Sequence, residues 1–270
     1  MENDGGLRVD LFLVKLVLSF IVGGSFLAFT LWISEKFGSK IGGIIIGLPS
    51  TTLVSLLFIA WTQDASVAVS AAVIIPAITA VSLIFSYAFV MLYKGKLGMT
   101  KALAGALLVW GFLTLPLVLL KISDLSTSLI FSALFFIAGI VLLKKFPHRK
   151  LEKFSFSKKV FLYRVGFAGL VVVTSVSLGK FLGPLYGGLF ASFPSGAFST
   201  MFLITEKHGV DFAASIARSM SFGNICNAVF AVAFYLIVPA QGIILGTIAA
   251  YAIALVSAIV IYKTTVAQAS

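Results

Sequence analysis

The strongest constraint on this chain is the length of the stretches that carry no charge. Uncharged runs cover 16–34, 41–63, 65–93, 102–120, 125–143, 165–179, 181–205 and 219–262. A helix needs about 20 apolar residues to cross the hydrocarbon core of a bilayer. A charge at the bilayer centre costs roughly 3 kcal/mol or more, so each run is a candidate span. The last run is long enough for two, with Pro239-Ala240-Gln241-Gly242 as the turn between them. The reading is nine spans, near 11–33, 41–61, 66–93, 99–120, 125–143, 162–181, 185–205, 211–238 and 241–262. The third and eighth are long enough to tilt.

The fold class that follows is all-α, polytopic and integral to a membrane. Composition agrees, with 60% hydrophobic and 11% charged residues, where a soluble domain carries about 25% charge. A soluble enzyme, a disordered chain and a nucleic-acid-binding domain are excluded. The single cysteine, Cys226, precludes an intrachain disulfide and a cysteine metal cluster. The opening MENDGGLRVD is acidic and Gly-rich and does not read as a signal peptide.

An odd number of spans puts the two termini on opposite sides. Lys36, Lys40, Lys94, Lys96, Lys101, Lys144, Lys145, Arg149, Lys150, Lys153, Lys158, Lys159, Arg164, Lys207 and Lys263 then share one side. Arg8, Lys121 and Lys180 take the other, while Lys15 and Arg218 fall inside spans. Lys and Arg collect in cytoplasmic loops. The expectation is a plasma (inner) membrane protein with its N-terminus outside and its C-terminus cytoplasmic. Trp32, Trp61, Tyr93, Tyr163 and Tyr262 fall near span ends, as an aromatic belt requires, and Trp110 does not. The basic loop at 144–159 reads as a positive-inside anchor or as a site for anionic lipid or a partner.

The chain also repeats. At an offset of 145 residues, 38–93 aligns with 183–238 without a gap and with 12 identities in 56 positions. Both copies read G-x3-GG-x5-PS, in IGGIIIGLPS and YGGLFASFPS, and inside the spans Thr79 aligns with Asn224 and Ser82 with Asn227. Residues 1–121 form a first repeat of four spans, 122–160 a joining fifth span and basic loop, and 161–270 a second repeat. Five spans separate equivalent points, so the second copy crosses in the opposite sense. This 4+1+4 plan is an inverted-topology repeat of the kind found in secondary transporters and some channels.

Pro49 and Pro194 lie in the interior of the second and seventh spans. A helix-interior proline removes one hydrogen bond and clashes with the preceding turn. Freed backbone groups in hydrocarbon must then find partners or line a polar cavity. One reading is a pair of helices broken at the midplane, whose second halves present amide ends that favour an anion. The other is a kinked, tightly packed helix pair, since small residues also make packing faces. The candidate site residues are Gly43, Pro49, Ser50, Thr51, Gly188, Pro194 and Ser195, with Arg218, Asn224 and Asn227 from span eight. Arg218 reads either as a cavity-facing guanidinium or as a side chain that snorkels to the surface. Asn224 and Asn227 read either as interhelical hydrogen-bonding groups or as substrate contacts.

All nine acidic residues lie at or beyond span ends. Pumps and divalent-metal transporters keep carboxylates at membrane depth, so neither reading is expected. Sodium coupling through backbone carbonyls stays open. No HExxH, paired carboxylates or Gly-x-Ser-x-Gly occurs, and no enzyme activity, metal or cofactor is expected.

The stretch YGGLFASFPSGAFSTMFLITEKHGVDFAASIARSMSFGNICNAVFAVAFY resembles the GlpM-like family of small bacterial membrane proteins. The resemblance rests on Gly188-Leu189, on Phe193-Pro194-Ser195, on a short polar loop, and on the Arg218 region with Phe222-Gly223. It implies two such units fused through an extra helix, and it brings no biochemistry with it. The first copy departs from the pattern with Leu48 for the Phe and with Pro76-Ala77 where the second has Ser221-Phe222.

The expected function is transport of a small organic anion or an anionic lipid head group by alternating access at the Pro-Ser pair. A symmetric ion channel, a lipid flippase or scramblase, and an accessory protein for envelope assembly are the alternatives. The expected partners are a small-molecule or lipid substrate and the surrounding membrane lipids. Nucleic acid is not among them, and an oligomer is left open.

Overall fold

The computed structural model describes the backbone of residues 4–147 and 158–266. Side chains are described over 11–34, 36–37, 41–147 and 161–264. Most of the basic loop at 144–159, including His148, Arg149, Lys150 and Lys153, lies outside the described residues.

Among the described residues the chain is helical throughout, with no strand. In order the helices are α1 (Asp4–Lys36), α2 (Gly38–Ile46), α3 (Ser50–Thr62), α4 (Ala65–Ala72), α5 (Ile75–Lys94), α6 (Met99–Leu119) and α7 (Leu125–Leu143). After the basic loop come α8 (Lys158–Phe181), α9 (Pro184–Ala191), α10 (Ser195–His208), α11 (Val210–Gln241) and α12 (Ile243–Ile261). Among the described residues nine stretches are long and apolar enough to cross a membrane. Two of them are helix pairs interrupted at a Pro-Ser, namely α2–α3 and α9–α10.

The offset of 145 residues reappears in the element boundaries, well beyond the aligned segment. Helices α1 and α8 end 145 residues apart, and α3 and α10 begin 145 apart. Helices α6 and α12 begin 144 apart, and α7 has no counterpart.

Burial sorts the spans into an inner and an outer set. The broken spans Ile41–Thr62 and Pro184–His208 are each 72% buried and Ile75–Lys94 is 78% buried, against 17% for Leu125–Leu143 and 22% for Ile243–Thr264. The polar residues at the two breaks thus sit at the centre of the bundle, sheathed by apolar helices that offer large side chains outward. Phe112 and Ile130 on the outer helices are examples.

One expectation changes. The third span is not one tilted helix over 66–93 but α4 followed by α5, with a turn at Val73-Ile74. Pro76 is the cause: it lacks an amide hydrogen and its ring crowds the carbonyl a turn earlier, so a new helix starts around it. The equivalent position in α11 is Ser221, and that helix runs unbroken for 32 residues, about 48 Å at helical rise. Arg164, counted above on the basic side, lies near the start of α8 and is 3% exposed, so it is packed against protein at that end and the charge asymmetry is unchanged.

Candidate functional site

Each broken span is interrupted by the same small turn. Pro49 has φ −73° and ψ 52°, and Pro194 has φ −73° and ψ 50°. The amide of Ser50 donates to Leu48 O at 2.7 Å, and that of Ser195 donates to Phe193 O at 2.6 Å. These dihedrals and the bond across one residue describe an inverse γ-turn centred on proline. The flanking bonds match as well. Gly47 N donates to Gly43 O and Ser192 N to Gly188 O, each at 3.2 Å, while Leu53 N donates to Pro49 O and Phe198 N to Pro194 O at 2.9 and 2.7 Å. Proline enforces the break because it cannot donate, and its ring pre-sets the φ that the turn needs.

The second half-helices begin at these turns with uncapped amides. Among the described residues, Thr51 N and Thr52 N on α3, and Gly196 N and Ala197 N on α10, have neither a carbonyl partner nor a capping side chain. The two starts lie against each other's preceding half-helix. Thr52 Oγ1 donates to Ala191 O of α9 at 3.1 Å, and Ile46 O of α2 lies 3.2 Å from where a Cβ on Gly196 would stand. Each positive helix start therefore meets the negative end of the other copy's half-helix, which moderates the field at the centre.

Between them is a cavity of about 40 Å³, room for about three water molecules. Its wall is built largely of repeat-related pairs: Gly47 and Ser192, Leu48 and Phe193, Ser50 and Ser195, Thr51 and Gly196, Thr79 and Asn224, Ser82 and Asn227. No charged side chain is among them. Asn227 Nδ2 donates to Thr79 Oγ1 at 3.2 Å, which fixes the amide and leaves Oδ1 without a partner although the residue is only 9% exposed. A buried acceptor left unpaired costs about 1–3 kcal/mol, so this oxygen calls for a donor in the cavity.

Of the residues singled out in the sequence, the structure brings Ser50, Thr51, Pro194, Ser195, Asn224 and Asn227 to this cavity. Pro49 shapes the turn without reaching the wall. Gly43 and Gly188 are helix contacts instead. A Cβ on Gly43 would overlap Ser219 and crowd Ile216 O of α11, and one on Gly188 would overlap Ala71 O and crowd Ile74. Arg218 is also elsewhere, with Nη1 donating to Phe146 O at 2.8 Å, past the end of α7. The cavity-facing reading does not describe it, because the Phe146 carbonyl in the loop after α7 holds the guanidinium.

The sequence reading missed Ser192 and the close approach of Gly47 to Gly223, where a Cβ on Gly47 would stand 2.7 Å from the Gly223 Cα. Gly47 and Gly223 each fall outside the pattern shared by the two copies, so alignment alone did not flag them. Trp110, the exception to the aromatic belt, is buried edge-on against Phe193 at 5.2 Å.

The contacts between copies are exchanged in pairs. Gly43 packs on positions 216 and 219, and Gly188 on 71 and 74, which are the same positions less 145. A Cβ on Gly24 would lie 2.5 Å from Val165 O, and one on Gly169 would lie 2.7 Å from Phe20 O, again the same pair with the copies swapped.

Fold and cavity together define a polytopic helical membrane protein with an uncharged polar chamber between two interrupted spans. Residues 16–124 match the family model described as "Protein of unknown function (DUF3147)". That match covers spans one to four, the first copy, whereas the GlpM-like resemblance lies on the second. It agrees with an uncharacterised family of small membrane proteins and does not name the GlpM-like one. No curated protein and no solved structure matches the chain.

Proposed function

We propose that this protein is a secondary transporter built as an inverted repeat, carrying a small organic anion through the chamber between the two Pro-Ser turns. The observation that carries the reading is the convergence of four unpaired amides and one unpaired buried acceptor, Asn227 Oδ1, on a single cavity. The amides suit an anionic group, and Asn227 asks for a hydrogen-bond donor on the same solute. A hydroxy acid about the bulk of three waters satisfies both. Larger solutes need the chamber to open.

The exchanged glycine contacts support the inversion. When element X of one copy touches Y of the other and Y′ touches X′, the copies are related by a two-fold axis, as in an isologous interface. With the axis in the membrane plane, a rocking of one copy against the other opens the same chamber to either side in turn. The charge distribution supports an inner-membrane placement with the N-terminus outside.

The test is counterflow in proteoliposomes loaded with a panel of two- to four-carbon hydroxy acids. Saturable exchange of at least one such anion is expected, and Asn227→Leu is expected to lower it about tenfold without loss of folded protein. Conductance at channel rates would replace the carrier reading with the channel one. Exchange of cations in place of anions would overturn the substrate class, and no flux of any solute would leave the accessory-protein reading standing.

A further inference from the structure

A second hollow lies between α8 and α10, apart from the central chamber. It is a crevice of about 480 Å³ walled by Phe167, Phe198, Phe202 and Leu203, with Arg164, Ser199 and Glu206 as its polar members and Tyr163 completing it. The size is that of a pocket for a drug-sized molecule. Phe167 and Phe198 stack at 4.9 Å to form its floor, and Phe167 also meets Phe193 of the second break at 6.1 Å. Its lips face outward from the bundle, where lipid tails run: Tyr163 is 76% exposed and Phe202 38%.

Arg164 is what makes this crevice more than a gap. It is 3% exposed, inside a span, and adjacent to Val165, whose carbonyl crowds Gly24 at the crossing of α1 and α8. It lies within four residues of the span end, so its guanidinium stands in the crevice wall at the level of lipid head groups, where a basic pocket between helices suits an anion. The repeated scaffold does not require it. Position for position, the first copy has Ser19 for Arg164, Val22 for Phe167, Leu53 for Phe198, Val54 for Ser199 and Trp61 for Glu206. The first copy's hollow at these positions lies between α3 and α12 instead, walled by Leu57, Phe58 and Trp61 with Ile243 and Ile244, none of them charged. The charged crevice therefore belongs to one copy and to one side of the bundle, the side where the basic loops gather. That is the leaflet in which basic pockets between helices bind anionic head groups.

We propose that the α8–α10 crevice is a binding site for an anionic phospholipid, its phosphate held by Arg164 and Ser199 and its chain laid over Phe167, Phe198 and Phe202. An arginine fork suits a phosphate, and the aromatic trough suits an acyl chain. Glu206 at the end of α10 opposes the anion and sets an upper limit on the affinity. The site stands whether or not the central chamber moves a solute.

The experiment uses the full chain in vesicles of phosphatidylcholine containing brominated phosphatidylglycerol or, separately, brominated phosphatidylcholine at the same mole fraction. Phe202→Trp places an indole at the lip, and its quenching is read as the difference from the parental protein. Phosphatidylglycerol is expected to be preferred about tenfold, the preference falling to none in Arg164→Gln and being retained in part in Arg164→Lys. Glu206→Gln is expected to raise it severalfold. Equal quenching by both lipids overturns the proposal, as does a preference that survives Arg164→Gln. Should that variant fail to fold, Glu206→Gln decides: a stronger preference supports the site and an unchanged one overturns it.

Discussion

The two copies share one device and differ in nearly everything around it. The proline-centred turn is reproduced to within 2° in both dihedrals, and its hydrogen bonds recur except that Gly47 N to Ile44 O has no counterpart. Around that turn, the first copy carries a second break at Pro76 and the second an unbroken α11 with Arg218 and Ser221. Phe193, Phe198 and Arg164 stand in the second copy where Leu48, Leu53 and Ser19 stand in the first. What is common is backbone geometry and glycine packing, which a symmetric chamber needs twice. What is not common is side-chain chemistry on one side of the bundle, where a single task suffices.

The comparison breaks most readily at its shared part. Gly188→Val and Gly43→Val each drive a side chain into a neighbouring helix, against Ala71 O in one case and Ser219 in the other. Each is expected to cost about 3 kcal/mol or more, read as loss of monodisperse protein or a large fall in Tm. A loss in one copy with tolerance in the other would undo the equivalence of the two packings.

The next test moves a difference from one copy to the other. Ser221→Pro puts the first copy's break into α11, where the interior proline penalty is about 3 kcal/mol. The reverse change, Pro76→Ser, is expected to alter stability by under about 1 kcal/mol, because it removes a constraint and leaves a turn with its other bonds in place. Thermal melts of the two variants check the asymmetry. Arg218→Met should follow, with a cost of about 1–2 kcal/mol for the bond to Phe146 O. Exchange rate should stay unchanged, since the guanidinium does not reach the chamber.

The smallest effect is one of pH. Asp64 caps α4 by accepting from Ser66 N at 2.7 Å, and this bond holds its carboxyl below the ordinary value of 3.8. The matching position in the second copy is Gly209, at φ +83° with no side chain to titrate. A lowered folded pKa means that the cap contributes fully above the ordinary value and is lost as pH falls through the lowered one. Asp64→Ala should therefore flatten the acid limb of the stability profile below about pH 4. No change at Gly209 can do the same, which Gly209→Asn would check.

Much of this architecture is readable from charge and spacing. Uncharged runs locate the spans because the bilayer excludes charge, and the Pro-Ser breaks are visible because proline acts locally. The break at Val73-Ile74 is not, because Pro76 sits inside a long apolar run and apolarity is blind to where a helix restarts. The candidate chamber is half readable. Ser50, Ser195, Asn224 and Asn227 stand out as polar residues in apolar surroundings, whereas the partner of Arg218 is a loop carbonyl that no pattern announces. Arg164 was hidden by its position near a span end, where a surface charge and a buried one look alike in sequence.

The most direct test of the central claim is two-sided accessibility of the two serines, now 3% and 1% exposed at Ser50 and Ser195. Ser50→Cys and Ser195→Cys, each made with Cys226→Ala, are treated in oriented vesicles with a small membrane-impermeant thiol reagent added to one side or the other. An alternating chamber predicts that both positions react from both sides and that a transported solute protects them together. Reaction from neither side would contradict the account and reduce the Pro-Ser pair to a packing device.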